Sequence, residues 1–421
     1  MKKKIVCLVL AAVLLATGSM CGALGEEYVR VSQSELERLM RFEKLDTILY
    51  YLETYSIAEL DYDALLEGAA AGMMYSLDDK YAYYVPVDEY DAEVESLSGQ
   101  YVGVGTQIMI DTDTQKPMVT RVFSGTGAQE AGLQKGDIIM AIDGIVPENN
   151  DLDGAAKAMR GEAGTQVHLT IQRGNQLLDF DVTRRTNYAN SVEYQMLEGD
   201  IGYIILYEFI QDSAKEFAQA LNALTAQGMK GLILDLRDNG GGEVDNCLAI
   251  ADMLLPEGVI IRRKSRTEGE VTEDSNAAML GLPMAVLVNE NSASASEILS
   301  GAIKYYGVGT LVGKTTFGKG VIQYLLTLSD NSMINFTCEE YFLPDGTSIH
   351  ETGIEPDVEQ SLEGEYSVTY RRIYDLPLTE DSQMQRALEI VREQIATESG
   401  DTGTETGLAN VLENVLTRRG E

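Results

Sequence analysis

The segment Asn289-Glu-Asn-Ser-Ala-Ser-Ala-Ser-Glu297 sets serines on alternate positions, Ser292, Ser294 and Ser296, between an apolar run and a helical pattern carrying Ile298, Leu299, Ala302 and Ile303. A hydroxyl at such a strand-to-helix junction is placed to act as a nucleophile. The first turn of a helix has free backbone N–H groups and a partial positive potential, and both favour a developing oxyanion. Ser294 and Glu297 also spell an ordinary capping box, so a purely structural serine is the competing reading.

A serine nucleophile needs a base. His168 and His350 are the only two histidines. His168 alternates with Val167 and Leu169 as a solvent-facing strand residue would, and His350 falls in a polar loop, so a Ser/His/Asp arrangement is poorly supported, with His350 left open. Lys319, in Thr316-Phe-Gly-Lys-Gly320, is the other candidate. Its flanking glycines allow close backbone approach, and burial near Phe317 and Val321 would lower the amine's pKa enough for it to accept a proton. Gln323 can hydrogen-bond the amine and orient it; the alternative for Lys319 is a solvated turn lysine. Asp235-Leu-Arg-Asp-Asn-Gly-Gly-Gly242 closes an apolar run in three glycines ahead of a helix near Glu243. Such a loop either presents N–H groups to an anion or is a plain turn, and its spacing does not fit the phosphate-binding GxxxxGK[ST].

The elements that must position these groups follow from periodicity. Ser32 with Glu35 and Ser34 with Glu37 each read as a capping box ahead of Leu36, Leu39, Met40, Ile48 and Leu52 at helical spacing, and a second helix is expected over residues 62–74. Residues 101–185 change to short β-former runs punctuated by glycine, with helical patches at 128–132 and 152–159. From 199 to 362 helices and strands alternate, the pattern of an α/β core, with residues 231–238 and 284–290 as strands buried on both faces and 321–329 with 332–343 as a hairpin.

The 421 residues carry 67 acidic against 32 basic side chains, a net charge of −35 that argues against nucleic acid and anionic lipid as partners. Lysines at 2–4, an apolar run from Ile5 to Met20 and small residues around Ala23 have the layout of a secretory signal peptide. An uncleaved anchor is the alternative, although the run is short against the roughly 20 residues that span a membrane. Outside that segment only Cys247 and Cys338 remain. They form no metal-binding spacing, and whether they pair is open.

Read in order, SLDDKYAYYVPVDEY, GAQEAGLQKGDIIMAIDG, GLILDLRDNGGG, VLVNENSASASEI, VGKTTFGKGVIQ and YFLPDGTSIHETGIEPD resemble the C-terminal processing, or tail-specific, serine proteases over about Asp46 to Val358. The resemblance implies a crotonase-like α/β protease core with an inserted PDZ domain. Its expected layout is a signal peptide at 1–25, a helical segment at 28–98 whose part from 46 packs on the core, the PDZ domain at 99–186, the core at 187–365, a C-terminal helical segment at 366–397 and a flexible acidic tail at 398–421.

It further implies Ser294 as nucleophile, Lys319 as base and Gln323 as third member, with Ser292 and Ser296 as structural neighbours. The oxyanion hole would be the N–H of Ala295 with that of Gly241 or Gly242, and Gly103-Val104-Gly105-Thr106, after Val102, would be the PDZ carboxylate loop. No cofactor and no metal are implied. The expected partners are protein or peptide substrates held by their C-termini, with a homo-oligomer left open, and the expected place is outside the cytoplasm, in the cell envelope or secreted. Two departures stand out: Tyr305 where some relatives have an aspartate, and Asp79-Lys80-Tyr81-Ala82 for the family's Asp-Pro-Tyr-Ser. The first points to Gln323 rather than an acid beside Lys319, and the second is expected to touch neither catalytic group. A PDZ-bearing scaffold that has lost activity is the alternative of another class; an acyl-CoA enzyme lacks any CoA signature.

Overall fold

The computed structural model describes residues 31–90, 92–94, 100–111, 113–123, 125–188, 191–210, 212–276, 279–362 and 376–398. The expected signal segment at 1–25, residues 366–375 and the residues beyond 398 lie outside them. Residues up to Ala69 form one unit and those from Ala70 another. The first contains α1 (Gln33–Met40), α2 (Glu43–Tyr55) and the start of α3 (Tyr62–Tyr75). Ser32 caps α1 as expected, its hydroxyl accepting from Glu35 N at 3.2 Å while the Glu35 carboxylate accepts from Ser32 N at 2.7 Å. Ser34 is not a second cap, because it lies inside the helix.

In the second unit, β1 (Tyr83–Val85) precedes the β-rich insert: β2 (Gln100–Gly103), β3 (Thr106–Ile110), β4 (Pro117–Val122), α4 (Gly127–Ala131), β5 (Ile138–Ile142), α5 (Leu152–Met159), β6 (Gln166–Arg173), β7 (Gln176–Thr183) and β8 (Arg185–Tyr188). Strands β3 to β7 make an antiparallel sheet in chain order, and β2 pairs with β8. Val167, Leu169 and Ile171 alternate inward along β6, so His168 points out, where Nδ1 meets Asp181 at 2.8 Å. At the sheet edge, β3 and α5 border a groove of about 240 Å³ lined by Val104, Thr106, Ile108, Phe123 and Met159.

The core follows as β9 (Val192–Leu197), β10 (Ile201–Leu206), α6 (Ser213–Ala226), β11 (Gly231–Asp235), α7 (Val244–Leu254), β12 (Gly258–Ser265), β13 (Gly269–Ser275), β14 (Met284–Val288), α8 (Ala295–Tyr306), β15 (Thr310–Gly313), β16 (Val321–Thr327), β17 (Met333–Phe342), β18 (Val358–Glu359) and α9 (Ser382–Glu398). Its main sheet has the order β18-β15-β14-β11-β10-β9, parallel except for β9. Apolar residues fill both faces. Ile204, Leu206, Leu232, Leu234, Val286 and Val288 pack with α6, α7 and α8, while Tyr203, Ile205, Ile233, Ala285 and Leu287 pack with α9. A second sheet runs β1-β17-β12-β13, with β16 hairpinned onto β17.

A buried ion network fastens α9. Arg237 bonds Asp235 at 2.6 Å and Asp381 at 2.8 Å, Tyr203 Oη donates to Asp235 at 2.8 Å, and Asp381 caps α9 through Met384 N at 3.0 Å. Cys247 and Cys338 are both free thiols, which answers the pairing question. Among the described residues no helix is long and apolar enough to cross a membrane.

Candidate active site

The parallel strands β11 and β14 deliver two loops to the same end of the sheet, the glycine loop and the serine turn. The hydroxyls of two serines are consumed there: Ser292 Oγ donates to Leu236 O at 2.7 Å and Ser296 Oγ to Asn239 O at 2.9 Å, both fully buried. Ser294 caps α8 with φ 55° and ψ −116°, a conformation that costs a non-glycine residue about 1–3 kcal/mol. Its carbonyl accepts from the buried Tyr341 Oη at 3.2 Å, and the carbonyl of Ala295 accepts from Cys247 Sγ at 3.1 Å. The turn is therefore clamped from below.

The glycine loop packs directly on this turn. A Cβ added to Gly241 would stand 2.8 Å from Ser294 Cβ and 2.9 Å from Ala295 N, and one on Gly242 would lie 2.2 Å from Phe209 O. Only glycine fits at either position. Asn239 orders the loop, its amide donating to Leu206 O at 2.7 Å and its carbonyl accepting Gly241 N at 2.9 Å. With Gly241 N–H so engaged, Gly242 and Ala295 are the expected oxyanion donors whose N–H groups have no partner among the described residues.

Glu297, fully buried, joins serine turn and lysine loop. Its Oε2 accepts from Ser294 N at 2.9 Å and Lys319 N at 2.8 Å, and its Oε1 from Thr316 Oγ1 at 2.6 Å and Gly318 N at 2.7 Å. The glycines flanking Lys319 permit the close approach foreseen, Gly318 against Gly353 and Gly320 against His350. His350 Nδ1 accepts from Gly320 N at 3.3 Å, so the histidine left open from sequence lies beside the lysine loop as an acceptor.

The surroundings of Lys319 differ from expectation in three respects. Phe317 is 52% exposed, so it is not the buried neighbour expected. The cover is Tyr81, whose ring centroid lies 4.8 Å from Lys319 Nζ, so the Asp79-Lys80-Tyr81-Ala82 segment does reach the proposed catalytic group. Gln323 Nε2 donates to Thr337 Oγ1 at 3.4 Å, whereas the carboxylates acting on the amine are Asp79 and Glu297. Burial pushes the Lys319 pKa below the usual lysine range, and the charges of Asp79 and Glu297 oppose that shift. Burial pushes Asp79 up, but hydrogen bonds from Thr337 and Tyr81 and the Lys319 charge outweigh it and hold its carboxyl below the usual range. A cavity of about 1060 Å³, lined by Tyr81, Val321, Tyr324, Phe336 and His350, opens beside the loop. Among the described residues no cluster of His, Cys, Asp or Glu could hold a metal ion.

Sequence comparison bears on the same elements. The profile described as peptidase family S41 matches residues 200–360, and that of a PDZ domain matches residues 118–173. Over 333 residues the chain is 33% identical to a CtpA-like serine protease of Staphylococcus aureus strain COL, covering 78% of this chain and 65% of that protein. It is 32% identical over 326 residues to the Staphylococcus epidermidis counterpart, covering 76% and 66%. The chain thus spans slightly less than two thirds of the length of these relatives. A solved S41-type chain of Bacteroides fragilis, 19% identical, matches with a TM-score of 0.52 over 90% of this chain and 100% of that one, a likeness of fold alone. Residues 200–360 thus match peptidase family S41, with a PDZ domain ahead of them at residues 118–173.

Proposed function

We propose that the protein is an exported serine endopeptidase of the C-terminal processing type, with Ser294 as nucleophile and Lys319 as general base. The observation that carries this reading is the disposition of three serines: Ser292 and Ser296 spend their hydroxyls on buried carbonyls, while Ser294 stands in a strained turn that Glu297 ties to the lysine loop. In the reaction, Ser294 Oγ bonds to the carbonyl carbon of the scissile peptide as its proton passes to Lys319 Nζ. The oxyanion is held by N–H groups of Ala295 and Gly242, at the positive end of α8. The resulting ammonium gives its proton to the departing amine as the C–N bond breaks, and water then hydrolyses the acyl-serine ester by the same relay. The amine must be neutral at the start, and burial favours that form.

The PDZ groove supports recognition of substrate C-termini. Strand β3, which pairs on one side with β4 and among the described residues is the edge of its sheet, borders it, and a peptide can add there as a further strand with its carboxylate at the 103–106 loop. Incubating the protein with envelope proteins and mapping new C-termini by mass spectrometry tests the activity. New termini with wild type and none with Ser294→Ala support it; no cleavage by either favours the scaffold reading.

A further inference from the structure

We propose that Tyr81 is the positioning residue of Lys319, its ring face holding the amine and stabilising the ammonium formed when it takes the Ser294 proton, and that Asp79, which accepts from Tyr81 N, holds Tyr81 in place. This rests on the reading of Lys319 as general base.

The geometry is specific. Lys319 Nζ lies 4.8 Å from the Tyr81 ring centroid, within the roughly 6 Å over which an aromatic face attracts a cation. Tyr81 itself is fixed, because Asn335 Nδ2 donates to its carbonyl at 2.8 Å and β1, two residues on, pairs with β17. Asp79 is fixed on both oxygens, Oδ2 accepting from Thr337 N at 2.8 Å and Oδ1 from Tyr81 N at 2.9 Å. Gln323, the partner expected from sequence, donates to Thr337. Lys80 Nζ also lies over the Tyr81 ring, 5.1 Å from its centroid, and the remaining titratable groups around the amine have other engagements. Glu297 accepts four donors, His350 Nδ1 accepts Gly320 N, and Tyr341 donates to Ser294 O. Glu339 pairs with Arg263, and Cys338 and Glu351 line the adjoining cavity.

An amine base faces two opposed demands. Burial keeps it neutral, yet it must become an ammonium in the same buried place during the reaction. A ring face held in place by an anchored carboxylate meets the second demand without adding a mobile counter-ion. The ring face favours the charged form, so Tyr81→Leu, which keeps apolar cover but loses that face, lowers the amine's pKa further, and Asp79→Asn, which removes a negative charge acting on the amine, works in the same direction. The acid limb of kcat/KM then moves to lower pH, and the plateau falls because the base is weaker.

The test uses the full chain with Tyr81→Leu, Tyr81→Phe and Asp79→Asn. It measures the pH dependence of Lys319 acetylation by acetic anhydride, read by mass spectrometry, beside the kcat/KM profile on a peptide. Tyr81→Leu and Asp79→Asn should each move the acetylation midpoint down by about half a pH unit to one unit, whereas Tyr81→Phe, which keeps the ring, should leave it in place. An unmoved midpoint in both Tyr81→Leu and Asp79→Asn overturns the proposal, as does an equal shift in Tyr81→Phe and Tyr81→Leu. Acetylation needs no turnover. A shifted midpoint in a chain without peptidase activity would therefore sustain the positioning and sink only the peptidase reading.

Discussion

The backbone N–H groups of Ser294 and Lys319 donate to one oxygen, Oε2 of Glu297, at 2.9 and 2.8 Å. The turn of the proposed nucleophile and the loop of the proposed base are thus registered against each other through a single buried carboxylate. Its other oxygen accepts Thr316 Oγ1 and Gly318 N. Glu297→Ala strands four donors, two of them buried, and should lower unfolding stability by about 3 kcal/mol or more. Urea denaturation checks this, and a loss under 1 kcal/mol would contradict the accounting.

The three alternate serines should separate by readout. Ser294→Ala should abolish covalent labelling by a fluorophosphonate and leave the fold intact. Ser292→Ala and Ser296→Ala should keep labelling while each losing about 1–3 kcal/mol of stability, because Leu236 O and Asn239 O lose a buried donor. Equal loss of labelling at all three positions would refute the assignment.

Much of this site is legible in sequence because it is local. The strands around Leu234 and Val286 announce themselves as apolar runs, and Ser294, Glu297 and the glycine loop lie within a few residues of those strands. What escapes is what depends on pairing across long separations. Tyr81 reaches Lys319 only because the segment before β1 is bonded to β17, as in the Asn335–Tyr81 bond across 254 residues. Phe317, two residues away in sequence, is half exposed. Of the two apolar neighbours along the chain, Val321 is buried and Phe317 is not, and the aromatic face over the amine comes from Tyr81, far off in sequence. Likewise Gln323 sits on a strand whose register hands its amide to Thr337.

Burial lowers the Lys319 pKa in the folded chain relative to the unfolded one. Between the lowered value and the ordinary value near 10.4, the unfolded chain binds the extra proton, so stability should rise with pH across that window. Below the lowered value the ammonium is buried and its penalty is fully present. Lys319→Met should consequently flatten the rise and raise stability at neutral pH, as denaturant titrations from pH 7 to 10 would reveal. Lys319→Arg, unable to shed its charge, should be as inactive as Lys319→Ala.

Asp381 joins the C-terminal helix α9 to Arg237 beneath the glycine loop at 2.8 Å, and also caps that helix. Asp381→Ala leaves an almost fully buried guanidinium with one carboxylate in place of two. A loss of about 3–5 kcal/mol is expected in urea unfolding. Hydrogen exchange should speed up first in α9, because the cap and the ion pair are lost together.

The PDZ groove offers the sharpest test of substrate recognition. Gly105 opens the proposed carboxylate loop with φ +90°, and a Cβ there would lie 2.1 Å from Thr126 Cβ. Thr126 Oγ1 in turn donates to Phe123 O at 2.8 Å and Gly105 O at 3.3 Å, so the loop cannot give way without losing buried bonds. Gly105→Ala should therefore disorder the loop. Peptides with apolar, free C-termini should bind wild type and lose at least tenfold in affinity on amidation, since the carboxylate's N–H partners go unused. Acidic tails should bind more weakly, repelled by a chain of net charge −35, and more so at low salt. Fluorescence anisotropy on the full chain carrying Ser294→Ala measures all three without cleavage. If free and amidated peptides bind alike, and Gly105→Ala changes neither, carboxylate capture at residues 103–106 is wrong.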